Sequence, residues 1–276
     1  WRGGNALALG SSTLGGASDY ISATGFTAPG GSLRLEGGSF GYLRARVEAG
    51  LSEGKTDAYL SFSGQSQSGF REHAAQEGLR LFNNFGWQIS DGAETRLFVT
   101  FVDSRSELPG SLTKVELEDD PRQADGSRFG AAAYDNRRDF ELFRIADKTT
   151  LVNGDQTLEF ITAFTYKDLD HPITPFVGVI DQLTRDLLLG ATLTQEGQLF
   201  GRKNRVRTGA FFTRGTIDAA TYQNKDGERG DLTSSADQTA PNLEGFVEDQ
   251  LALDYGITGV IGATAASNWR ENDQFS

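Results

Sequence analysis

The chain has 276 residues, among them 34 Gly, 19 Phe and 3 Trp, with no Cys and no Met, and a formal charge of −12. Its hydrophobic share is 37%, and no run approaches the ~20 apolar residues of a membrane-spanning helix, which excludes a helical membrane protein. Without Cys there is no disulfide framework, thiolate zinc site or cysteine nucleophile, and the acidic balance excludes a general nucleic-acid binder, which needs clustered Lys and Arg.

Residues 1–30 hold seven Gly and two charged residues, Arg2 and Asp19. Leu7, Leu9, Leu14, Tyr20 and Ile21 give this stretch something to bury, so a packed, turn-rich segment fits better than a flexible linker. The chain opens on Trp1, with no Met and no signal peptide, and is expected to be a piece of a longer gene product.

From about residue 31 the hydrophobic pattern has period two, the mark of strands. Leu43, Ala45, Val47, Ala49 and Leu51 alternate with Arg44, Arg46 and Glu48; Ala58, Leu60 and Phe62 alternate with Asp57, Tyr59 and Ser61. The same alternation marks Leu79–Ile89, Leu158–Lys167, Leu187–Leu193 and Arg205–Thr213, and is blurred in 94–103 and 241–253. About eleven strands are expected, near 31–38, 42–51, 56–67, 77–89, 94–103, 138–152, 156–168, 186–196, 204–216, 242–253 and 257–267. No long helix is expected; 112–120 (LTKVELEDD) is the one candidate for a short one.

The connections separate two ends. Turns near 52–55, 90–93, 153–155, 197–203 and 254–256 are short and carry the Asp, Asn and Gly of tight hairpins. Between them fall longer connections at 68–76, 104–137, 169–185 and 217–241; only the first, 39–41, is short. Transmembrane β-barrels show this asymmetry. Their apolar faces run about 9–11 residues, enough to cross a bilayer when tilted, and Trp87 sits near a short turn, as an interfacial aromatic would. The fold class expected is all-β, an antiparallel transmembrane β-barrel; a soluble sandwich or propeller and a β-solenoid are the alternatives.

The segment ALGSSTLGGASDYISATG, ending at Gly25, resembles the end of the plug domain in TonB-dependent outer-membrane receptors. Leu14, Gly15, Gly16, Ala17, Ser22, Thr24 and Gly25 stand at matching places. The family has Ile–Asn where this chain has Ser18–Asp19, and Pro where it has Ala23. The following SLRLEGGSFGYLRARVEAGL looks like the first barrel hairpin of these receptors. SGFREHA, LFNNFGWQISDGAETRLFVTFVDSRSELPGSLT and GRKNRVRTGAFF are similar to the ferric siderophore and ferric citrate branch. Family barrels have twenty-two strands, so the resemblance implies the end of a plug (1–30) joined to the N-terminal half of a barrel (31–276).

It also implies active transport of a ferric siderophore or similar iron chelate across the bacterial outer membrane, in contact with its lipid. TonB would be the energising partner, gripping an N-terminal TonB box that this sequence lacks. The protein would need no cofactor or metal ligands of its own, since the chelate carries the iron. A passive porin-type channel and a soluble β-rich binding or adhesion module are the alternative functions. Bare Gly15 and Gly16 would let backbone pass close to neighbouring strands; a generic Gly-rich turn is the other reading.

In the 34-residue connection 104–137 and at its end, Arg105, Arg122, Arg128, Arg137 and Arg138 could grip carboxylate or hydroxamate oxygens, since guanidinium binds such groups bidentately. They could equally be solvated charges offset by Glu116, Glu118, Asp119 and Asp120. Arg71 and His73, in the shorter FREHA connection beside the barrel mouth, are better placed, with loop packing as their alternative. Tyr134 and Tyr166 could contact a chelate or serve the rim, and His171 before Pro172 reads as a strand cap. No carboxylate pair suggests acid–base catalysis, so an enzyme is not expected. ELEDD lacks the spacing of a calcium loop.

Overall fold

The computed structural model describes residues 21–275 of the chain. Leu14, Gly15, Gly16 and Ala17 therefore lie outside the described residues, whereas Thr24 and Gly25 lie within them.

The described strands are β1 (Gly30–Gly37), β2 (Leu43–Glu53), β3 (Thr56–Gln67), β4 (Gln76–Ser90), β5 (Ala93–Ser106), β6 (Asp139–Asn153), β7 (Gln156–Pro172), β8 (Val179–Leu199), β9 (Arg202–Lys225), β10 (Glu228–Ala252), β11 (Thr258–Asn268) and β12 (Glu271–Phe275). They form one 12-stranded antiparallel sheet in which β1 to β11 follow sequence order, and β12 continues the edge along β10. One helix of six residues, α1 (Lys114–Asp119), lies in the connection between β5 and β6.

Register gives the sheet two unlike faces. On the outer face, Leu33, Val47, Phe62, Leu81, Phe101, Phe143 and Tyr166 stand opposite one another across seven strands. On the inner face the same walk meets Tyr59, Asn84, Phe98, Ala146 and Ala163. Burial is inverted relative to a water-soluble domain. Val47 (45%), Phe62 (44%), Phe143 (40%) and Leu189 (43%) are exposed, while Asp57, Ser63, Asn84, Thr192 and Glu248 on the inner face are buried. Isolated exposed apolar residues are ordinary, but a continuous belt of this extent needs an apolar neighbour. Among the described residues no second sheet covers it. The belt covers Leu43–Leu51 on β2 and Leu158–Tyr166 on β7, close to the length a tilted strand needs to cross hydrocarbon, and the shorter Leu187–Leu193 on β8; on β6 it is interrupted at Asp147, which accepts from Thr95 and Thr149 on the same face. The fold is a partial antiparallel transmembrane β-barrel.

At one end of the belt, two-residue turns at 54–55, 91–92, 154–155 and 200–201 close the hairpins. Gly154, at φ 58°, takes the left-handed conformation that such turns require. Trp87, half exposed, faces outward beside the 91–92 turn. The other end, the mouth, carries the connections 38–42, 68–75, 107–138 and 173–178.

Two connections differ from expectation. Neither 169–185 nor 217–241 is a long loop: β7 runs to Pro172, β8 starts at Val179, and β9 and β10 stay paired up to a two-residue turn at Asp226–Gly227. Above the belt these strands are wet on both faces, so their sequence has no reason to alternate. Their pairing rests on backbone hydrogen bonds and cross-strand polar contacts such as Arg185 with Asp218.

Candidate functional site

The mouth is built around loop 107–138. Its neck is closed by pairing of Glu107 with Arg137, and α1 within it starts on a capping box. The Thr113 side chain accepts from the Glu116 backbone N–H, and the Glu116 carboxylate accepts from the Thr113 N–H and hydroxyl. These bonds hold the Glu116 carboxyl below its ordinary value.

The loop is carried by its neighbours. Arg71, from the 68–75 connection, donates to three of its carbonyls, at Gln123 (2.9 Å), Gly110 (2.7 Å) and Pro109 (3.0 Å). His73 Nε2 lies 2.9 Å from the Asn136 carbonyl, and the Ala75 N–H donates to Glu107. From the far side, the Asn224 amide on β9 donates to the Tyr134 (2.9 Å) and Ile173 (2.6 Å) carbonyls, while its Oδ1 accepts from the Gly227 N–H (2.7 Å). Arg137 is paired with Asp135, with Asp139 (3.2 Å) and with Asp170 (2.9 Å), and Arg229 joins Asp170 to Asp181. Four connections are thus tied at one node.

Electrostatics at this node is mixed. Burial works against the Arg137 charge, but Asp135, Asp170 and Asp139 outweigh it and hold the guanidinium firmly protonated. Asp139 and Asp181 stand above the belt, beyond the membrane-spanning part of their strands. Burial raises both carboxyls above the usual 3.8, against the pull of Arg137 and Arg229.

The structure divides the residues singled out from sequence. The polar atoms of Arg71, His73 and Arg137 are engaged by the loop scaffold itself. Arg122 and Arg128 are exposed, with their guanidinium carbons over aromatic rings, 5.6 Å from the centre of Phe70 and 5.3 Å from that of Phe129. Arg105 stands 3.7 Å from Asp103, and Arg138 is exposed. Tyr134 packs against Phe129 at 6.4 Å, and Phe129 meets Phe176 edge-on at 4.9 Å. His171 lies within β7, where its Nδ1 meets the Arg137 carbonyl at 2.5 Å. Sequence reasoning missed Asn224, Asp170, Asp181 and Arg229, all in stretches read as solvated loop. Among the described residues, no cluster of three or more His, Cys, Asp or Glu is placed to hold a metal ion.

A second polar cluster sits at the opposite end, where the chain enters the wall. Asp57 on β3, Asn84 on β4 and Arg96 on β5 are neighbours on the inner face. Arg96 donates to both Asp57 oxygens (2.6 and 3.0 Å) and to Asn84 Oδ1 (2.7 Å). The Gly25 N–H donates to Asp57 Oδ2 (2.8 Å), and the Ala23 carbonyl accepts from Asn84 (2.7 Å). Neither Asp57 nor Asn84 had been singled out, because one inward polar residue in an alternating strand looks like any other.

No family model matches the sequence, and no curated protein matches it. Solved structures do. The unliganded ferric citrate transporter FecA superposes with a TM-score of 0.79 at 13% identity, over 98% of this chain and 43% of that chain. The alcaligin outer-membrane receptor FauA of Bordetella pertussis gives 0.72 at 11% identity, over 99% and 42%. The ferripyoverdine receptor of the outer membrane of Pseudomonas aeruginosa, bound to ferripyoverdine, gives 0.73 at 12%, over 89% and 38%. The chain thus spans less than half the length of these solved chains, and at such identities the likeness is one of fold.

Proposed function

We propose that the chain is part of a TonB-dependent outer-membrane receptor that actively imports a ferric siderophore or similar iron chelate. Residues 1–30 form the end of its plug and 31–276 the N-terminal half of its barrel. The observation that carries this reading is the wall itself. A belt of exposed apolar side chains faces outward, buried polar side chains face inward, and the one long connection, 107–138, lies at the end opposite the two-residue turns at 54–55, 91–92, 154–155 and 200–201. Three solved proteins that share this fold are described as handling ferric citrate, alcaligin or ferripyoverdine, the last two as outer-membrane receptors. The entering segment supports a plugged receptor over an open pore, since Ala23 and Gly25 are held against the inner wall where a passive channel has no need of extra chain.

In this reading the mouth residues divide the work. Arg71, His73 and Arg137 position the loops, whereas Arg122, Arg128 and Arg138, with the Phe129–Tyr134 pair, offer cations and ring faces to an anionic chelate; Arg105 shares the outward face of β5 with Phe101 and stands outside this group. The iron is cargo, held by its chelator, and the barrel sits in outer-membrane lipid. Outer membranes carrying the full-length protein should retain labelled ferric chelate saturably when tested with ferric citrate and a panel of ferric siderophores. Recovery of the full-length protein as a folded soluble species, or uptake without any saturable binding, would overturn the reading.

A further inference from the structure

We propose that Asp57, Asn84 and Arg96 form an anchor that fixes residues 23–28 to the barrel wall. Tension arriving along the chain from its N-terminal side then stops at Ala23 and does not reach β1. The proposal rests on the transport reading only for the source of that tension.

Two backbone groups of the entering segment, on either side of Thr24, are held from two different strands, the Gly25 N–H by Asp57 and the Ala23 carbonyl by Asn84. Arg96, from a third strand, locks both holders by donating to each. Asp57 is 3% exposed and Asn84 0%. Hydrogen bonds to a buried carboxylate are stronger than neutral ones, and removing one partner leaves a buried charge uncompensated. The cluster therefore yields as a unit.

Shape supports chemistry. A Cβ on Gly25 would lie 1.9 Å from the Leu51 carbonyl oxygen, and one on Gly50 would lie 1.9 Å from that of Ala28. The segment thus sits backbone against backbone on β2, with no side chain between. Its path is set by a turn in which the Ala28 N–H donates to the Thr24 carbonyl (2.9 Å) and Thr24 and Thr27 bond to one another. Without the anchor, a pull would load the β1–β2 ladder at its Gly30–Gly50 end. It would open that ladder one pair at a time, the weakest way to load a sheet. With the anchor, several bonds must break together before β1 feels any load.

The test is to pull the full-length receptor by its N-terminus, with the barrel held in a lipid disc, and to read the released chain length. Wild type should show a last arrest at residue 23. In Asn84→Ala, which keeps the Asp57–Arg96 pair, that arrest should weaken. In Asp57→Asn it should vanish, and the next arrest should fall at Gly30 or beyond, a shift of seven residues or about 25 Å of extended chain. Should Asp57→Asn fail to assemble, the wild-type and Asn84→Ala traces decide alone. A wild-type trace that runs through to β1 without an arrest at residue 23, or identical wild-type and Asn84→Ala traces, would overturn the anchor. Loss of TonB-dependent uptake would instead bear on the transport reading, and leaves the arrest position as its own measurement.

Discussion

Arg71 and Arg122 are both mouth arginines, yet their surroundings set them different tasks. Arg71 directs its donors at three carbonyls of one loop, and hydrogen bonds to a charged group contribute about 1.5–3 kcal/mol each. Arg71→Ala should therefore loosen loop 107–138, raising its rate of limited proteolysis by roughly tenfold or more. Arg122→Ala leaves Phe70 behind but no orphaned carbonyl, so proteolysis should be unchanged while chelate binding weakens. If both variants loosen the loop equally, the division between positioning and contact is wrong. Acid is a second probe. Asp139 and Asp181 have folded pKa values raised above 3.8, so their cost to stability is full at neutral pH and fades as pH falls through those values. Glu116 has the opposite sign: its cap stabilises above the ordinary carboxylate range and is lost only as pH falls through its lowered value. The node should thus become more resistant to proteolysis, not less, as pH falls toward the raised values of Asp139 and Asp181. Loop opening before the ordinary carboxylate range is reached would contradict this.

Among the elements, β9 and β10 show where sequence reading stops. In the belt, alternation marked β2 and β3 to within two residues of their observed ends, because one face meets lipid and the other does not. Beyond the belt both faces are wet, the alternation disappears, and paired strand looks like polar loop. The ladder there is nonetheless continuous to Lys225–Glu228, apart from bulges near Leu232. Asn224 links this hairpin to the rest of the mouth. Asn224→Ala should leave the Tyr134 and Ile173 carbonyls without their side-chain donor, a local loss of about 1–3 kcal/mol. Faster hydrogen exchange in both 131–137 and 173–178 is expected; a change in only one would show that the two loops are not joined through this residue. The short helix expected over 112–120 is α1, and the structure supplies its local reason in the capping box of Thr113 and Glu116. The Asp57–Asn84–Arg96 cluster was not, since it depends on register across three strands.

For the whole molecule, the alternation of faces and the length of the apolar runs favoured a membrane barrel over a soluble sandwich, whereas the sorting of turn lengths rested in part on 169–185 and 217–241, which are mostly paired strand. The plug resemblance rests mainly on residues outside those described, and only Ser22, Thr24 and Gly25 of that motif have a structural setting. β1 and the β11–β12 edge each lack one neighbour among the described residues, and an open sheet with an apolar outer face invites association. The 276-residue chain produced alone should therefore need detergent and should aggregate when it is removed; a soluble monomer with a sharp thermal transition would contradict the membrane assignment. The most direct test of the transport function uses the full-length gene in cells with and without TonB, measuring uptake of labelled ferric chelate. Saturable uptake that requires TonB is the predicted result; equal uptake in both strains would contradict it.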